Sequence, residues 1–212
     1  MSGNYSQQKF DEMPIVGIMR NLSSETVDRI VPIYQEAGLT NLEITMNSPN
    51  VSEVIEKLSS DFPDLNIGAG TVCNTKDLDK ALAAGASFIV TPIMDLEVMR
   101  YCLDNEVPIF PGAFTPLEIY TAWKQGASAV KIFPATQLGP VYVKDVLAPL
   151  NDIKLLPTGG VSIDNIQDFM KAGAVGAGMG STLFDKELIA AANFDGLLKH
   201  FQNMVATVKE VM

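Results

Sequence analysis

Short apolar segments alternate with helical patterns along nearly the whole chain. Eight segments of four to six residues are rich in aliphatic, aromatic and β-branched residues, which is typical of buried strands. They cover residues 15–19, 41–46, 65–69, 87–91, 107–110, 128–133, 153–157 and 174–179. Between them, apolar side chains recur at helical spacing, as at Val51, Val54, Ile55 and Leu58. The pattern therefore predicts that strand and helix alternate throughout.

Glycines and short polar residues indicate where the predicted helices end and begin. Four glycines follow a helical pattern and precede a strand, the place where a residue in the left-handed conformation commonly ends a helix. They are Gly38, Gly85, Gly126 and Gly173. Ser48, Thr115 and Ser162 are predicted N-caps, because a side-chain oxygen at that position accepts a hydrogen bond from a free helix N–H group.

The repeated alternation favours one fold class. Eight strands and eight helices, with no linker rich in glycine or serine between them, predict an α/β fold of the (β/α)8 TIM barrel type. A single domain over residues 1–212 is expected, with an extra N-terminal helix in the segment 5–13. A doubly wound open sheet is the alternative, because it uses the same alternation.

Charge and composition exclude several classes of partner. The formal charge of −10 repels nucleic acid and anionic membranes, whereas backbone N–H groups can still bind a small phosphate ester. His200 is the sole histidine, so a zinc site made of several histidines is ruled out, and no metal or organic cofactor is expected. No apolar run approaches the roughly 18 residues of a membrane span. Since the first residues also lack a signal-peptide pattern, a cytoplasmic location with reduced cysteines is expected.

One lysine lies inside a segment that is otherwise apolar. Lys131 is flanked by Val130, Ile132 and Phe133, and Pro134 ends the segment. Burial disfavours the charged ammonium form, so the pKa of such a lysine falls and the neutral amine becomes a nucleophile that can attack a ketone. The alternative is a lysine at a strand end that extends to solvent or pairs with a carboxylate.

An acidic residue lies in the second predicted strand. Side-chain alternation points Glu43 and Thr45 to one face of this strand, and Leu42 and Ile44 to the other. If helices cover the apolar face, Glu43 faces the barrel interior, where a carboxylate must be paired or protonated. Lys131 is then its natural partner, either as a catalytic pair or as a purely structural ion pair.

Polar and glycine residues follow the predicted strands, at the rim that holds the active site of TIM barrels. Two glycine clusters, at 157–161 and 178–181, follow the last two strands, where loops often bind phosphate through backbone N–H groups. The cluster at 68–71 either holds a carboxylate in the same way or forms a plain tight turn. Arg20 ends the first strand and is either a carboxylate ligand or a surface charge.

A match to one enzyme family runs from residue 15 to about residue 192, and seven short motifs within it are its landmarks. They are LEIT at 42–45, GAGT at 68–71, FIVTP at 88–92, PG at 111–112, VKIFP at 130–134, PTGG at 157–160 and GS at 180–181. With these motifs the chain resembles the class I, Schiff-base aldolases that cleave 2-keto-3-deoxy-6-phosphogluconate and its galactonate epimer.

The resemblance implies a role for each matching position. It makes Lys131 the imine-forming lysine and Glu43 the general acid/base. The implied substrate-binding residues are Thr71, Pro92, Phe133 and Thr158, and the implied phosphate-binding residues are Gly159, Gly160, Gly180 and Ser181. It also implies a homotrimer that cleaves a phosphorylated 2-keto-3-deoxy sugar acid to pyruvate and glyceraldehyde 3-phosphate.

Two marks of the resemblance leave the substrate epimer open. The phosphogluconate branch typically carries arginine two residues after the threonine of the second strand, where this chain has Asn47. Asn47 resembles the phosphogalactonate branch, together with Arg20, Gly139-Pro140 and Tyr142, whereas Thr158 resembles the phosphogluconate branch. Either epimer or both are expected as substrates, with Asn47 and Arg20 among the substrate-binding residues and Arg20 the candidate ligand of the carboxylate. A further candidate substrate is 4-hydroxy-2-oxoglutarate.

Two other functions fit the same residues. A phosphate-binding barrel without bond cleavage would keep the glycine clusters and give Lys131 and Glu43 a structural role only. A phosphosugar isomerase would use Glu43 as a base and yield a product of unchanged mass, whereas an aldolase makes two fragments.

Overall fold

The computed structural model describes residues 5–212 and has an α/β fold in which parallel strands alternate with helices. The strands are β1 (Ile15–Met19), β2 (Asn41–Thr45), β3 (Asn66–Gly70), β4 (Ile89–Val90), β5 (Ile109–Phe110), β6 (Gly112–Ala113), β7 (Val130–Ile132), β8 (Leu155–Pro157) and β9 (Ala177–Met179). The helices are α1 (Gln7–Glu12), α2 (Ser24–Glu36), α3 (Val51–Asp61), α4 (Thr75–Ala83), α5 (Leu96–Asp104), α6 (Pro116–Lys124), α7 (Gly139–Leu147), α8 (Ile166–Lys171), α9 (Lys186–Ala190) and α10 (Phe194–Lys209).

Each of the eight apolar segments overlaps one of these strands, so the predicted strands are confirmed. The short strand β6 is additional and follows β5 after Pro111. Because proline has no N–H to donate to a ladder, it interrupts what would otherwise be one strand.

The strands form two parallel sheets that contact each other. The first sheet has the order β5-β4-β3-β2-β1-β9, and the second has the order β6-β7-β8. On one side, the N–H of Ser128, two residues before β7, donates to the Ile109 carbonyl of β5 at 2.9 Å. On the other, a parallel bridge joins Thr158 to Gly178. The parallel sheet is therefore curled into a half-barrel.

Most predicted helix ends are confirmed. The four glycines that follow helices have φ angles of 92°, 93°, 102° and 104°, in the left-handed region that glycine adopts without strain. Thr115 caps α6 in a capping box: its Oγ1 accepts from the Glu118 N–H, and the Glu118 carboxylate accepts from the Thr115 N–H.

Two predicted N-caps are wrong. Ser48 lies in a tight turn in which its N–H donates to the Thr45 carbonyl, and α3 begins only after Asn50. The Ser48 hydroxyl instead accepts from the Asn21 N–H at 2.9 Å, in the loop that follows β1. Ser162 also opens a turn and not the helix, because α8 begins after Asn165. In both places a turn intervenes between the polar residue and the helix.

The N-terminal helix α1 packs against the strand ends that lie away from the glycine clusters. The side-chain amide of Asn66, the first residue of β3, donates to the Ser6 carbonyl at 2.9 Å and accepts from the Ser6 N–H at 2.8 Å. Phe10 stacks on Phe110 with ring centroids 5.8 Å apart. Both residues belong to a small apolar cluster with side chains from β1, β4 and β8. None of the helices in residues 5–212 combines the length and apolar character needed to cross a bilayer.

Candidate active site

Lys131 occupies the middle of β7 and is only 4% exposed, as the apolar segment around it predicts. Its Nζ lies 4.8 Å from the centroid of the Phe133 ring. Burial lowers the pKa of Lys131; the charge of Glu43 opposes this effect, and the guanidinium of Arg20 adds to it. Among residues 5–212, no carboxylate oxygen lies within 4.0 Å of the Lys131 Nζ. At a given pH, the neutral form of this amine is therefore more populated than that of an exposed lysine.

Glu43 is the buried acid beside this lysine. It is 1% exposed, and within the described part of the chain its Oε2 has no hydrogen-bond partner. Burial raises the pKa of Glu43, while the charges of Lys131 and Arg20 lower it. A buried carboxyl oxygen without a protein partner is free to exchange a proton with a bound molecule or a water.

The strand pattern explains why Glu43 faces Lys131. Leu42 and Ile44 lie in the large apolar cluster between the sheet and the helices, so Glu43 faces the opposite side of β2, as predicted. Gly70, in the neighbouring strand β3, makes room for the carboxyl group. A Cβ at Gly70 would lie 2.6 Å from the Glu43 Cδ, which is closer than two carbon atoms can pack.

Replacing Gly70 by alanine should therefore displace the Glu43 carboxyl group. We expect Gly70→Ala to lower kcat/KM for the reaction proposed below by about 100-fold, the scale of a misplaced catalytic group. If Gly70 acts only through Glu43, adding Gly70→Ala to the Glu43→Gln variant should lower kcat/KM little further. Equal losses in both backgrounds, measured by steady-state kinetics, would contradict this assignment.

A pocket of about 640 Å³ opens beside Lys131. It brings together most of the predicted site residues, which are Arg20, Lys131, Phe133, Thr158, Gly159, Gly160, Gly180 and Ser181. Residues from the loops after β1, β8 and β9 thus meet at one place, although they are far apart in sequence. This is the arrangement expected when the carboxyl ends of parallel strands share one rim.

The two glycine loops present free backbone donors to this pocket. Within residues 5–212, the N–H groups of Gly159, Gly160, Ser181 and Thr182 donate to no protein acceptor. The Thr182 hydroxyl donates to the Val161 carbonyl at 2.6 Å and so joins one loop to the other. Free N–H groups that converge on a cavity are a common way to bind an anion.

Four predicted site residues lie outside the lining of this pocket: Glu43, Asn47, Thr71 and Pro92. Glu43 is buried too deeply to line it, whereas Asn47 is exposed in the turn after β2. Thr71 follows β3 with a φ of 59°, an unusual conformation for a threonine. Cys73 lies in the same loop and is partly buried.

Sequence reasoning missed several residues of the pocket. The polar ones are Asn21, Thr182 and Lys186, and the apolar ones include Leu22, Phe184 and Ile189. Lys186 begins the short helix α9, a position at which sequence offers no way to tell a ligand from an ordinary surface charge. Across residues 5–212, no group of three or more His, Cys, Asp or Glu side chains could hold a metal ion.

Comparison with known proteins identifies the family. The family profile described as "Aldolase: KDPG and KHG aldolase" matches residues 7–200. The chain belongs to this aldolase family. Since its relatives are named aldolases, which are carbon–carbon lyases, the chain is an enzyme of that class.

Individual relatives match this aldolase over almost its whole length. The 2-dehydro-3-deoxy-phosphogluconate aldolase of Haemophilus influenzae is 32% identical over 208 residues, which cover 96% of this chain and 98% of the relative. A native KDPGal structure is 30% identical with a TM-score of 0.87 and covers 100% of this chain and 98% of its own. A KDPG aldolase from Legionella pneumophila, solved with pyruvate captured as a covalent carbinolamine, is 25% identical with a TM-score of 0.86; the match covers 93% of this chain and 96% of that one.

Proposed function

We propose that this aldolase cleaves 2-keto-3-deoxy-6-phosphogluconate, its galactonate epimer or both to pyruvate and glyceraldehyde 3-phosphate, through an imine on Lys131. The observation that carries the proposal is the buried, unpaired amine of Lys131 next to a buried carboxyl group with a free oxygen. The covalent carbinolamine in the Legionella pneumophila relative supports the same chemistry.

In the proposed mechanism, the neutral Lys131 amine attacks the C2 ketone to form a carbinolamine. Glu43, directly or through a water, transfers the protons needed to expel water and leave a protonated imine. Glu43 then removes the proton of the C4 hydroxyl group, and the electrons of the C3–C4 bond flow into the imine. Glyceraldehyde 3-phosphate leaves, and the remaining enamine is protonated at C3 and hydrolysed to pyruvate and free Lys131.

The phosphate and the carboxylate of the substrate have separate candidate binding residues. The free N–H groups of the two glycine loops are placed to bind the phosphate, with the Ser181 hydroxyl beside them. Arg20 lines the same pocket as Lys131, so its guanidinium is suited to bind an anionic group near the reacting carbon. Asn47, Thr71 and Pro92 do not line this pocket, and their substrate-binding roles are part of the same proposal.

One coupled assay tests the proposal directly. Each epimer, and 4-hydroxy-2-oxoglutarate in parallel, is mixed with the enzyme and the release of pyruvate is followed with lactate dehydrogenase and NADH.

Borohydride added with pyruvate should leave a mass increment on Lys131. An unlabelled enzyme, or a label on another lysine, would reject the mechanism, and a product of unchanged mass would favour the isomerase.

We also infer that the strands close into a (β/α)8 barrel that forms one domain, with α1 covering its bottom. Backbone hydrogen bonds link the two sheets at both of their meeting edges, and Phe10 packs into the apolar cluster of strand side chains. A crystal structure with an unpaired sheet edge at either place would contradict this closure.

We further propose that the aldolase is a homotrimer. Large apolar side chains are exposed on α6 and its neighbours, with Leu117 75% exposed and Val141 69% exposed. Tyr120 on α6 and Tyr101 on α5 are also exposed. Exposed apolar side chains in such number on adjacent helices are typical of a surface that another chain covers.

Charging this surface should separate the subunits. We expect the double variant Leu117→Asp and Val141→Asp to elute as a monomer in size-exclusion chromatography with light scattering, where the wild type elutes at three times the chain mass. The reason is that a carboxylate buried at an interface is left without a partner. Met212→Asp, at an exposed apolar residue of the C-terminus, is the control and should remain trimeric. A monomeric wild type would refute the assembly.

A further inference from the structure

The pocket beside Lys131 carries more positive charge than the proposed chemistry uses. Its basic lining residues are Arg20, Lys131 and Lys186, and no acidic residue lines it. This is unexpected in a chain with 25 acidic residues, 15 basic residues and a formal charge of −10. A basic pocket on an acidic molecule concentrates small anions at that one place.

Lys186 is the residue of this set that has no assigned role. It is the first residue of α9, directly after the N-cap Asp185. The Asp185 Oδ1 accepts from two helix N–H groups at 2.9 Å each, so this carboxylate is engaged with the backbone. Within the chain from residue 5 onward, no carboxylate lies within 4.0 Å of the Lys186 Nζ. Its ammonium group is therefore available to a ligand.

The backbone that carries Lys186 is firmly placed at the pocket rim. Leu183 and Phe184, just before it, are buried, and the Phe184 ring stacks on Tyr34 with centroids 5.8 Å apart. The exposed Lys186 lines the same pocket as Ser181 and Thr182, whose N–H groups donate to no protein acceptor within residues 5–212. The pocket places a cation and neutral donors around one volume.

The two cations at the rim are not equivalent. Arg20 directly follows β1, whereas Lys186 begins α9, beyond the glycine cluster that follows β9. Apolar residues, among them Leu22 and Ile189, form part of the wall and exclude water, which strengthens the attraction between a cation and an anion. A dianion bound only by N–H groups would keep most of its charge, and Lys186 is placed to neutralise it.

We propose that Lys186 binds the phosphate group of the substrate and makes the enzyme prefer phosphorylated 2-keto-3-deoxy acids over their unphosphorylated counterparts. This inference rests on the proposed function. In this role Lys186 acts on substrate affinity, and thus on KM, and leaves the bond-breaking step to Lys131 and Glu43.

The test compares two substrates in three variants. We expect Lys186→Met to lower the ratio of kcat/KM for the phosphorylated acid to kcat/KM for 2-keto-3-deoxygluconate about 10-fold, the scale of one charge-assisted hydrogen bond. Most of the loss should appear in KM. Lys186→Arg should retain most of the ratio because it keeps the charge. Lys209→Met, at an exposed lysine of α10 that does not line the pocket, should leave the ratio unchanged.

Direct binding of inorganic phosphate separates this inference from the proposed function. In titration calorimetry, Lys186→Met should weaken phosphate binding about 10-fold relative to the wild type and to Lys209→Met. If the wild type cleaves neither acid, the proposed function fails, but the phosphate titration still decides the role of Lys186. Equal phosphate affinity in Lys186→Met and the wild type, or an equal loss of kcat/KM for both acids, would overturn the inference.

Discussion

Replacing Lys131 by methionine is expected to abolish cleavage of the phosphorylated acids. Methionine has a similar shape but no amine, so neither carbinolamine nor imine can form. We expect kcat to fall by more than about 10⁴-fold, the scale seen when a covalent nucleophile is removed. The measurement is pyruvate release in the coupled assay, together with loss of the borohydride-dependent mass increment. Lys154→Met, at an exposed lysine just before β8, is the matched control and should keep both.

The stability of Lys131→Met shows whether the amine is neutral in the folded enzyme. Burial lowers the pKa of Lys131, so between this lowered pKa and the ordinary lysine pKa the unfolded chain binds more protons than the folded one. In that window the stability of the wild type rises with pH. Lys131→Met should therefore be more stable than the wild type at neutral pH, and the difference should close as pH approaches the ordinary lysine pKa. Urea unfolding at fixed protein concentration measures this, and a difference that widens with pH would contradict it.

Replacing Glu43 by glutamine is the second large effect that we expect. Glutamine keeps the size of the side chain but cannot transfer a proton, so kcat should fall about 10²- to 10⁴-fold. Lys131 remains in place, and borohydride with pyruvate should still label it. Glu53→Gln, at an exposed position on α3, is the control and should retain full activity. Activity of Glu43→Gln within about threefold of wild type would exclude Glu43 as the general acid/base.

The same variant has a signature in its pH dependence. The charge of Glu43 raises the pKa of Lys131 against the effect of burial, so its removal should lower that pKa further. The neutral amine is then present at lower pH, and the rise of pyruvate trapping with pH should shift toward acid in Glu43→Gln. A shift toward alkaline pH would mean that the two groups do not interact as described.

Local pattern was enough to locate the strands and most helix ends. The left-handed glycines at Gly38, Gly85, Gly126 and Gly173, and the Thr115 capping box with Glu118, depend on residues within one helical turn. Ser48 shows where such reasoning fails. Its hydroxyl is engaged by the N–H of Asn21, 27 residues away, and a local rule contains no information about a contact of that range.

Local sequence was enough to predict that Lys131 is buried and that Glu43 faces away from the helices. Each residue lies within a short strand, and the alternation of that strand sets the face to which its side chain points. Which residues lie beside Lys131 and Glu43 depends on the tertiary structure. Gly70 leaves the space for the Glu43 carboxyl group, and Lys186 reaches the same pocket as the glycine loops from a short helix beyond them. Both contacts depend on how strands and loops that are far apart in sequence pack around one pocket. The local sequence pattern carries no information about packing of that range.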